Sequence, residues 1–323
     1  HETQMDVTDP ATDLSAIHAL YPATAAAAQA LGTDAPLIGQ LQQALAKTPS
    51  LPIMSAPSGS EPGAQVLAAS ADANAPYQNG ENIGLEAVWP YALIGVDSPL
   101  FRTAQTTFQW RPFKYAATWS YDPVQAAHLG LGDEAAKAIF ELVQRYQVYP
   151  NGMAALLHDQ PSEFYLEQAA ITALALPSML AIQDNDQLVR VGAAIPSGWT
   201  MHGAVALQHN ATVEESAVDG QLVSFTLKGA DDTPLTWVTP WQQARVRVWR
   251  DGEAQASIDA PTGRFVFHPA SGHVYRFALT EHPPQPAFET PAEATVKSLG
   301  NASIGLGPPC CAPPAHYVQA QDH

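Results

Sequence analysis

A chain of 323 residues with 46% hydrophobic content can bury a substantial core, and its length suggests about two domains. Fourteen Lys and Arg against 31 Asp and Glu give a net charge of −17, which repels nucleic-acid phosphates and anionic membranes and suits neutral or cationic ligands. The two cysteines, Cys310 and Cys311, are adjacent in a Pro-rich tail, so neither a disulfide framework nor a metal-knuckle spacing is present, and no apolar run approaches the ~20 residues of a membrane span.

The chain starts at His1-Glu2-Thr3-Gln4, without an initiator Met or a signal pattern, and reads as a processed or truncated product with further sequence upstream. Asp13 is placed to cap a helix through Leu14, Ile17, Leu20 and Tyr21, closed by Gly32, and Asp34 with Pro36 opens a second through Leu37, Leu41 and Leu45. Residues 48–80 form a long Pro-, Ser- and Gly-rich connection.

From Asn82 to Gln183 the pattern is helix after helix. Asn82 to Tyr91 has apolar residues at helical spacing up to Pro90. Ser98-Pro99 and Asp122-Pro123 pair a capping residue with a first-turn proline. Asp133 is read as the cap of a helix with Ala136, Ile139, Phe140 and Val143 on one face. The next helix is predicted to start at Ser162 and to carry Phe164, Ile171, Leu174 and Ala175 as its apolar stripe. Glu167 lies one turn inside it, four residues after Glu163, flanked by Phe164 and Tyr165. Partial desolvation there would raise its pKa into the range of proton transfer. From this stretch alone a solvated first-turn glutamate is the simpler reading.

After Asp186 the period changes from 3.6 to 2. Strands are predicted at Val189–Val191, Val205–Leu207, Leu222–Leu227, Ala244–Trp249, Arg264–Phe267 and Val274–Phe277, with Asp219-Gly220 and Asp251-Gly252 as hairpin turns. Helices followed by strands predict two domains: helical over 1–187, and an antiparallel β-sandwich over 188–282. Residues 283–323 read as an extended or disordered tail. Sequons at Asn210 and Asn301 are compatible with a secreted or extracytoplasmic location.

The segments between helices carry aromatics and hydrogen-bonding side chains: Trp89-Pro90-Tyr91, Trp110 to Tyr115, Trp119 to Pro123, and His158 to Pro161. Flat rings suit the C–H faces of sugars and carboxylates suit hydroxyls, so an acidic aromatic cleft points to carbohydrate. Ordinary roles compete. Trp89 and Trp119 also read as helix-end packing, Asp122 and Asp133 as caps, and His158 as a surface residue beside Asp159. Glu86, inside an apolar segment, either serves the site or pairs with Arg102 or Arg111. No phosphate loop, zinc-helix motif or Gly-flanked nucleophilic Ser occurs, and no cofactor is implied.

His1-Glu2-Thr3-Gln4, Asn82 to Tyr91, Trp119-Ser120-Tyr121-Asp122-Pro123, Phe164-Tyr165-Leu166-Glu167-Gln168 and Ile195 to Trp199 resemble, in that order, the later part of a glycoside hydrolase family 95-type protein. The resemblance implies an (α/α)6 barrel followed by a β-domain, and inverting hydrolysis of terminal α-L-fucosides. It aligns Glu2 with the general acid and Glu167 with the base, a position where the family has Asp. The acidic aromatic cleft gives Asn82, Glu86, Trp89, Trp119 and His158 as candidate substrate-binding residues, and the resemblance implies an oligosaccharide or glycan as partner and an upstream segment completing the barrel. The altered motifs leave a second expectation, a non-catalytic carbohydrate-binding or scaffold protein. Phosphorolysis is disfavoured by the shortage of Lys and Arg.

Overall fold

The computed structural model describes residues 6–72, 75, 81–149, 152–156, 163–287, 297–299 and 302–304. It has six α-helices among the described residues and divides by contacts into two compact units, His1–Gln125 and Ala126–His323. The division falls far before residue 187, where the period of the sequence changes, because the last two helices pack with the strands that follow them.

In the first unit, α1 (Ala11–Leu31) and α2 (Ala35–Leu45) form a helical hairpin. Gly32 closes α1 in a left-handed conformation, its N–H reaching back to the carbonyls of Ala28 and Gln29. Asp13 sits in the first turn and makes no cap bond, while the residue at the cap position is Pro10. Strands β1 (Ile53–Ser55) and β2 (Gln65–Leu67) pair antiparallel inside the connection that the sequence marks only as loop. The apolar segment from Asn82 is mostly turns, with one 3-10 turn at Ile83–Leu85, rather than a helix. Its Ile83 and Leu85 are fully buried. Gly84 permits this close packing, since a Cβ there would lie 2.9 Å from the Leu67 carbonyl oxygen. Helix α3 (Phe101–Trp110) follows without a side-chain cap bond, and the Ser98 hydroxyl accepts from the Leu100 N–H at 3.2 Å just before it. Helix α4 (Asp122–His128) spans the division between the units.

In the second unit, α5 (Gly132–Tyr146) buries Ala135, Ala138, Ile139 and Leu142. Gly132 admits the carbonyl of Ala194, which would lie 2.6 Å from a Cβ. Strands β3 (Ala154–Ala155) and β4 (Phe164–Tyr165) pair, and α6 (Leu166–Leu180) starts directly after them. Two sheets then face each other across one apolar core. The smaller has the order β14-β10-β6-β5, built from β5 (Ala181–Asn185), β6 (Leu188–Val191), β10 (Leu235–Val238) and β14 (Arg264–Phe267). The larger has the order β12-β11-β15-β9-β8-β7: β7 (Met201–Ala206), β8 (Thr212–Val218), β9 (Gln221–Lys228), β11 (Ala244–Arg250), β12 (Glu253–Ala254) and β15 (Tyr275–Ala278), with β13 (Ile258–Ala260) against β11. Val189, Trp237 and Phe265 of the first sheet meet Val213, Phe225, Val248 and Phe277 of the second. The sandwich is therefore real, with two corrections. It begins at Ala181, and the β6–β10 pair is parallel, so the smaller sheet is mixed rather than purely antiparallel. Both expected turns are present: Asp219, Gly220, Asp251 and Gly252 all have positive φ. Within the stretch expected to be an unpaired tail, β16 (Lys297–Leu299) and β17 (Ala302–Ile304) form a hairpin.

Candidate functional site

The side chain at the centre of the sequence reading, Glu167, is exposed in the first turn of α6. The helix begins three residues later than the sequence predicts at Ser162–Glu163, because Phe164 and Tyr165 are held as a strand against Ala155 and Ala154. The buried stripe of α6 is then Gln168, Ile171, Ala175, Ser178 and Met179, one step round from Glu167. Phe164 and Leu174, expected on that stripe, are 62% and 41% exposed. Glu167 is thus accessible rather than desolvated, with exposed Phe164 and Leu166 beside it. Its helix is anchored from below: Gln147 Nε2 donates to Gln168 Oε1 at 2.9 Å and Gln168 Nε2 to Thr172 Oγ1 at 3.1 Å. Glu2 and His158 lie outside the described residues.

In the first unit the structure gathers a buried polar network around Asp122. Its Oδ1 accepts from Arg111 Nε at 2.9 Å and from Asn82 Nδ2 at 3.0 Å, and its Oδ2 accepts from the Tyr115 N–H at 2.9 Å. Asp122 therefore serves a buried ion pair instead of capping its own helix. Burial pushes its carboxyl up, opposed by the Arg111 guanidinium and the Tyr115 N–H. Asn82 Nδ2 also donates to the Phe113 carbonyl at 2.8 Å, tying the start of the 3-10 segment to the loop after α3. Arg111 lies over the Phe108 ring at 3.6 Å and gives one N–H to the Phe108 carbonyl, while its buried Nη2 has no partner among the described residues. Arg111 and Asn82 line one side of a cavity of about 250 Å³, with Leu67, Thr107, Trp110 and Pro112 among its other walls. This is a largely apolar hollow with a few converging polar groups, the usual composition of a small-molecule site.

Glu86, 7% exposed, pairs with neither Arg102 nor Arg111, and among the described residues its Oε2 has no hydrogen-bond partner. Burial raises its pKa, and the charges of Glu81 and Asp13 add to it. Trp89 is half-buried, edge-on to Tyr121 at 4.8 Å, and its carbonyl accepts from Gln125 Nε2 at 3.3 Å, so it packs the end of its segment. Trp119 is half-buried as well. Asn82, Glu86, Trp89 and Trp119 thus all belong to the first unit and Glu167 to the second.

Two features escaped the sequence reading. One is the Arg111–Asp122 pair, since nothing in an Arg-Pro pair eleven residues before an Asp-Pro pair announces a buried ion pair. Glu215 on β8 is fully buried, accepts from the Gly192 N–H at 2.9 Å through Oε2, and leaves Oε1 without a partner. Burial pushes its carboxyl well above the usual carboxylate range. The strict alternation of Val213, Glu215 and Ala217 with outward residues was the available signal.

No protein-family model matches the chain, and no curated protein matches it. Among solved structures it is matched with a glycoside hydrolase, a GH127 beta-L-arabinofuranosidase from Geobacillus stearothermophilus T6, at 10% identity and a TM-score of 0.25. The match covers 88% of this chain and 45% of that one, so the chain spans less than half the length of that protein. A TM-score this low does not establish a shared fold, and these comparisons assign the chain to no family.

Proposed function

We propose that the chain is the later part of an inverting glycoside hydrolase acting on a terminal, α-L-fucoside-like sugar of an oligosaccharide. Glu167 acts as the base that activates water, and Glu2 is the acid that protonates the leaving oxygen. An upstream segment completes the (α/α)6 barrel. The observation that supports this reading is the setting of Glu167. It is a water-accessible carboxylate at the start of a helix anchored by a buried Gln147–Gln168 bond, with an exposed Phe164 ring beside it. A base for inversion needs access to water, a rigid mount, and room for that water between two carboxyl groups ~6.5–9.5 Å apart.

The test is made on the complete protein. Glu167→Gln keeps the size of the side chain and removes its basicity, so turnover falls about 10³-fold while sugar binding persists. Turnover of aryl α-L-fucosides or related glycosides unchanged by this substitution would remove the base assignment. NMR of the first-formed anomer separately tests inversion.

The cavity beside Arg111 favours a second reading, a carbohydrate-binding protein without hydrolysis. Trp110 offers a ring and, among the described residues, Arg111 an N–H without a partner, and Glu167 does not line the cavity. Saturable sugar binding without turnover of any glycoside, together with loss of that binding in Trp110→Ala, would select this reading over the first.

A further inference from the structure

The outward face of the larger sheet carries a concavity that Glu167 does not line. Register places Trp249 of β11 opposite Arg276 of β15, Arg276 opposite Thr226 of β9, and Thr226 opposite Glu214 of β8, one row of side chains across four strands. The Arg276 guanidinium lies over the Trp249 ring at 4.4 Å, and its Nη2 donates to the Glu281 carbonyl at 2.9 Å. Stacking and one fixed hydrogen bond hold the planar group in place. Trp249, Arg276, Thr226 and Glu281 line a concavity of about 370 Å³ together with Val274 and His282, and Glu214 lies outside it.

The acids nearby are already taken. The Glu281 carboxylate faces Arg247 at 3.5 Å, and the Glu214 carboxylate is engaged by Lys228 and His202. Arg276 therefore has no carboxylate partner among the described residues, in a chain where acids outnumber bases 31 to 14. A mounted guanidinium with unused N–H groups suits a carboxylate, which it can grip through two parallel hydrogen bonds. The Trp249 indole and Val274 offer apolar surface for a ring's C–H groups, and Thr226 offers a hydroxyl. We infer that this concavity binds a uronic-acid residue of an acidic oligosaccharide. A long polyanion such as nucleic acid would feel the whole −17 charge of the chain, whereas one sugar carboxylate is governed by the arginine it touches. The inference does not depend on the hydrolase reading, because Glu167 is not among the residues of this concavity.

Titration calorimetry of the full chain with trigalacturonate, its methyl ester, oligothymidylate and phosphatidylserine vesicles tests it. Trigalacturonate binds at least about tenfold more tightly than its methyl ester, and Arg276→Gln removes that difference, a loss of about 1.4 kcal/mol. Arg276→Lys keeps the charge but loses the fork and also weakens binding, whereas Arg245→Gln, on the same strand as Trp249 but outside the concavity, leaves binding unchanged. A thermal melt of each variant confirms that it is folded. Equal affinity for acid and ester, an Arg276→Gln variant that binds as the parent does, or equally tight binding of oligothymidylate or vesicles would overturn the assignment. The binding result stands whether or not any glycoside is hydrolysed.

Discussion

The two units keep their buried polar groups very differently. The sandwich core is aromatic: Phe225 stacks on Phe277 with centroids 4.5 Å apart, Trp237 lies 4.9 Å from Phe225, and Trp241 Nε1 donates to the Leu222 carbonyl at 2.9 Å. Among the described residues, eight buried side-chain polar atoms lack a partner, and six of them are in the first unit, on Thr12, Ser15, Glu86, Arg111, Thr118 and Gln125. The sandwich contributes two, Glu215 Oε1 and Trp237 Nε1. Buried groups left without partners cost stability, so a concentration of them marks the region built for something other than stability. The sandwich carries the packing, and the first unit carries the unspent hydrogen-bonding capacity.

The largest break of this contrast is expected from Phe277→Ala, which removes a fully buried ring that touches Phe225, Trp237, Phe265 and Phe267. The loss is about 4 kcal/mol, read as a lowered denaturant midpoint of the sandwich transition. A midpoint unchanged by this substitution would mean that the two sheets do not share one core. Next in size is Asp122→Ala, which strands the Arg111 charge in a site where its side chain is 2% exposed. About 3 kcal/mol is lost from the first unit, and the sandwich transition stays where it was. If both transitions moved together, the division at Gln125–Ala126 would not describe independent stability.

The same contrast explains what could be read from the residues in advance. Strands such as Ala244–Arg250 bury every second residue, and that alternation is visible directly in Val246 and Val248 between arginines. Turns such as Asp219-Gly220 need positive φ, and their residue types say so. The region around Asn82 offered no such period. Its apolar residues match helical spacing, yet the 3-10 turn bends away to meet β2, a contact between residues far apart in sequence that no local pattern encodes. Asp122 looked like a cap because an Asp-Pro pair opens a helix in either case, and its partners lie 7, 11 and 40 residues away. Glu167 was legible as a first-turn acid. Its exposure depends on where the helix starts, and the pairing of Phe164–Tyr165 with Ala154–Ala155 decided that. Trp249 and Arg276 were legible as strand residues only, because their stacking requires the register of β11 against β15.

Glu215 is a fully buried carboxyl in the sandwich. Burial raises its pKa well above the ordinary value of 4.5, so the folded chain retains a proton that the unfolded chain releases. Its contribution to stability is complete below the unfolded value and is lost as pH rises through the folded one. Glu215→Gln keeps an acceptor for the Gly192 N–H and removes the titration. The melting temperature at pH 8 rises by about 4 °C relative to the parent, and at pH 4 the two coincide within about 1 °C. A variant that melts lower than its parent at pH 8 would show that the carboxyl is better satisfied in the fold than its neighbours indicate.

The smallest effect belongs to a surface tie within the second unit. The two carboxylate oxygens of Asp133, in the first turn of α5, accept from the Ser197 N–H at 2.7 Å and the Ser197 hydroxyl at 3.0 Å. This fixes the Pro196–Gly198 turn, and Trp199 just beyond it lies edge-on to Phe140 of α5 at 6.1 Å. Ser197→Ala removes the hydroxyl and leaves the N–H bond, at a cost of about 0.5 kcal/mol because water replaces the lost donor at an exposed site. Asp133→Ala removes both bonds and the favourable charge at the start of α5, costing about 1 kcal/mol. The ratio of the two, measured by the same melts, separates the tie from the helix effect. A loss in Ser197→Ala as large as that in Asp133→Ala would make the hydroxyl the whole of the attachment, and an exposed contact would then matter as much as a buried one.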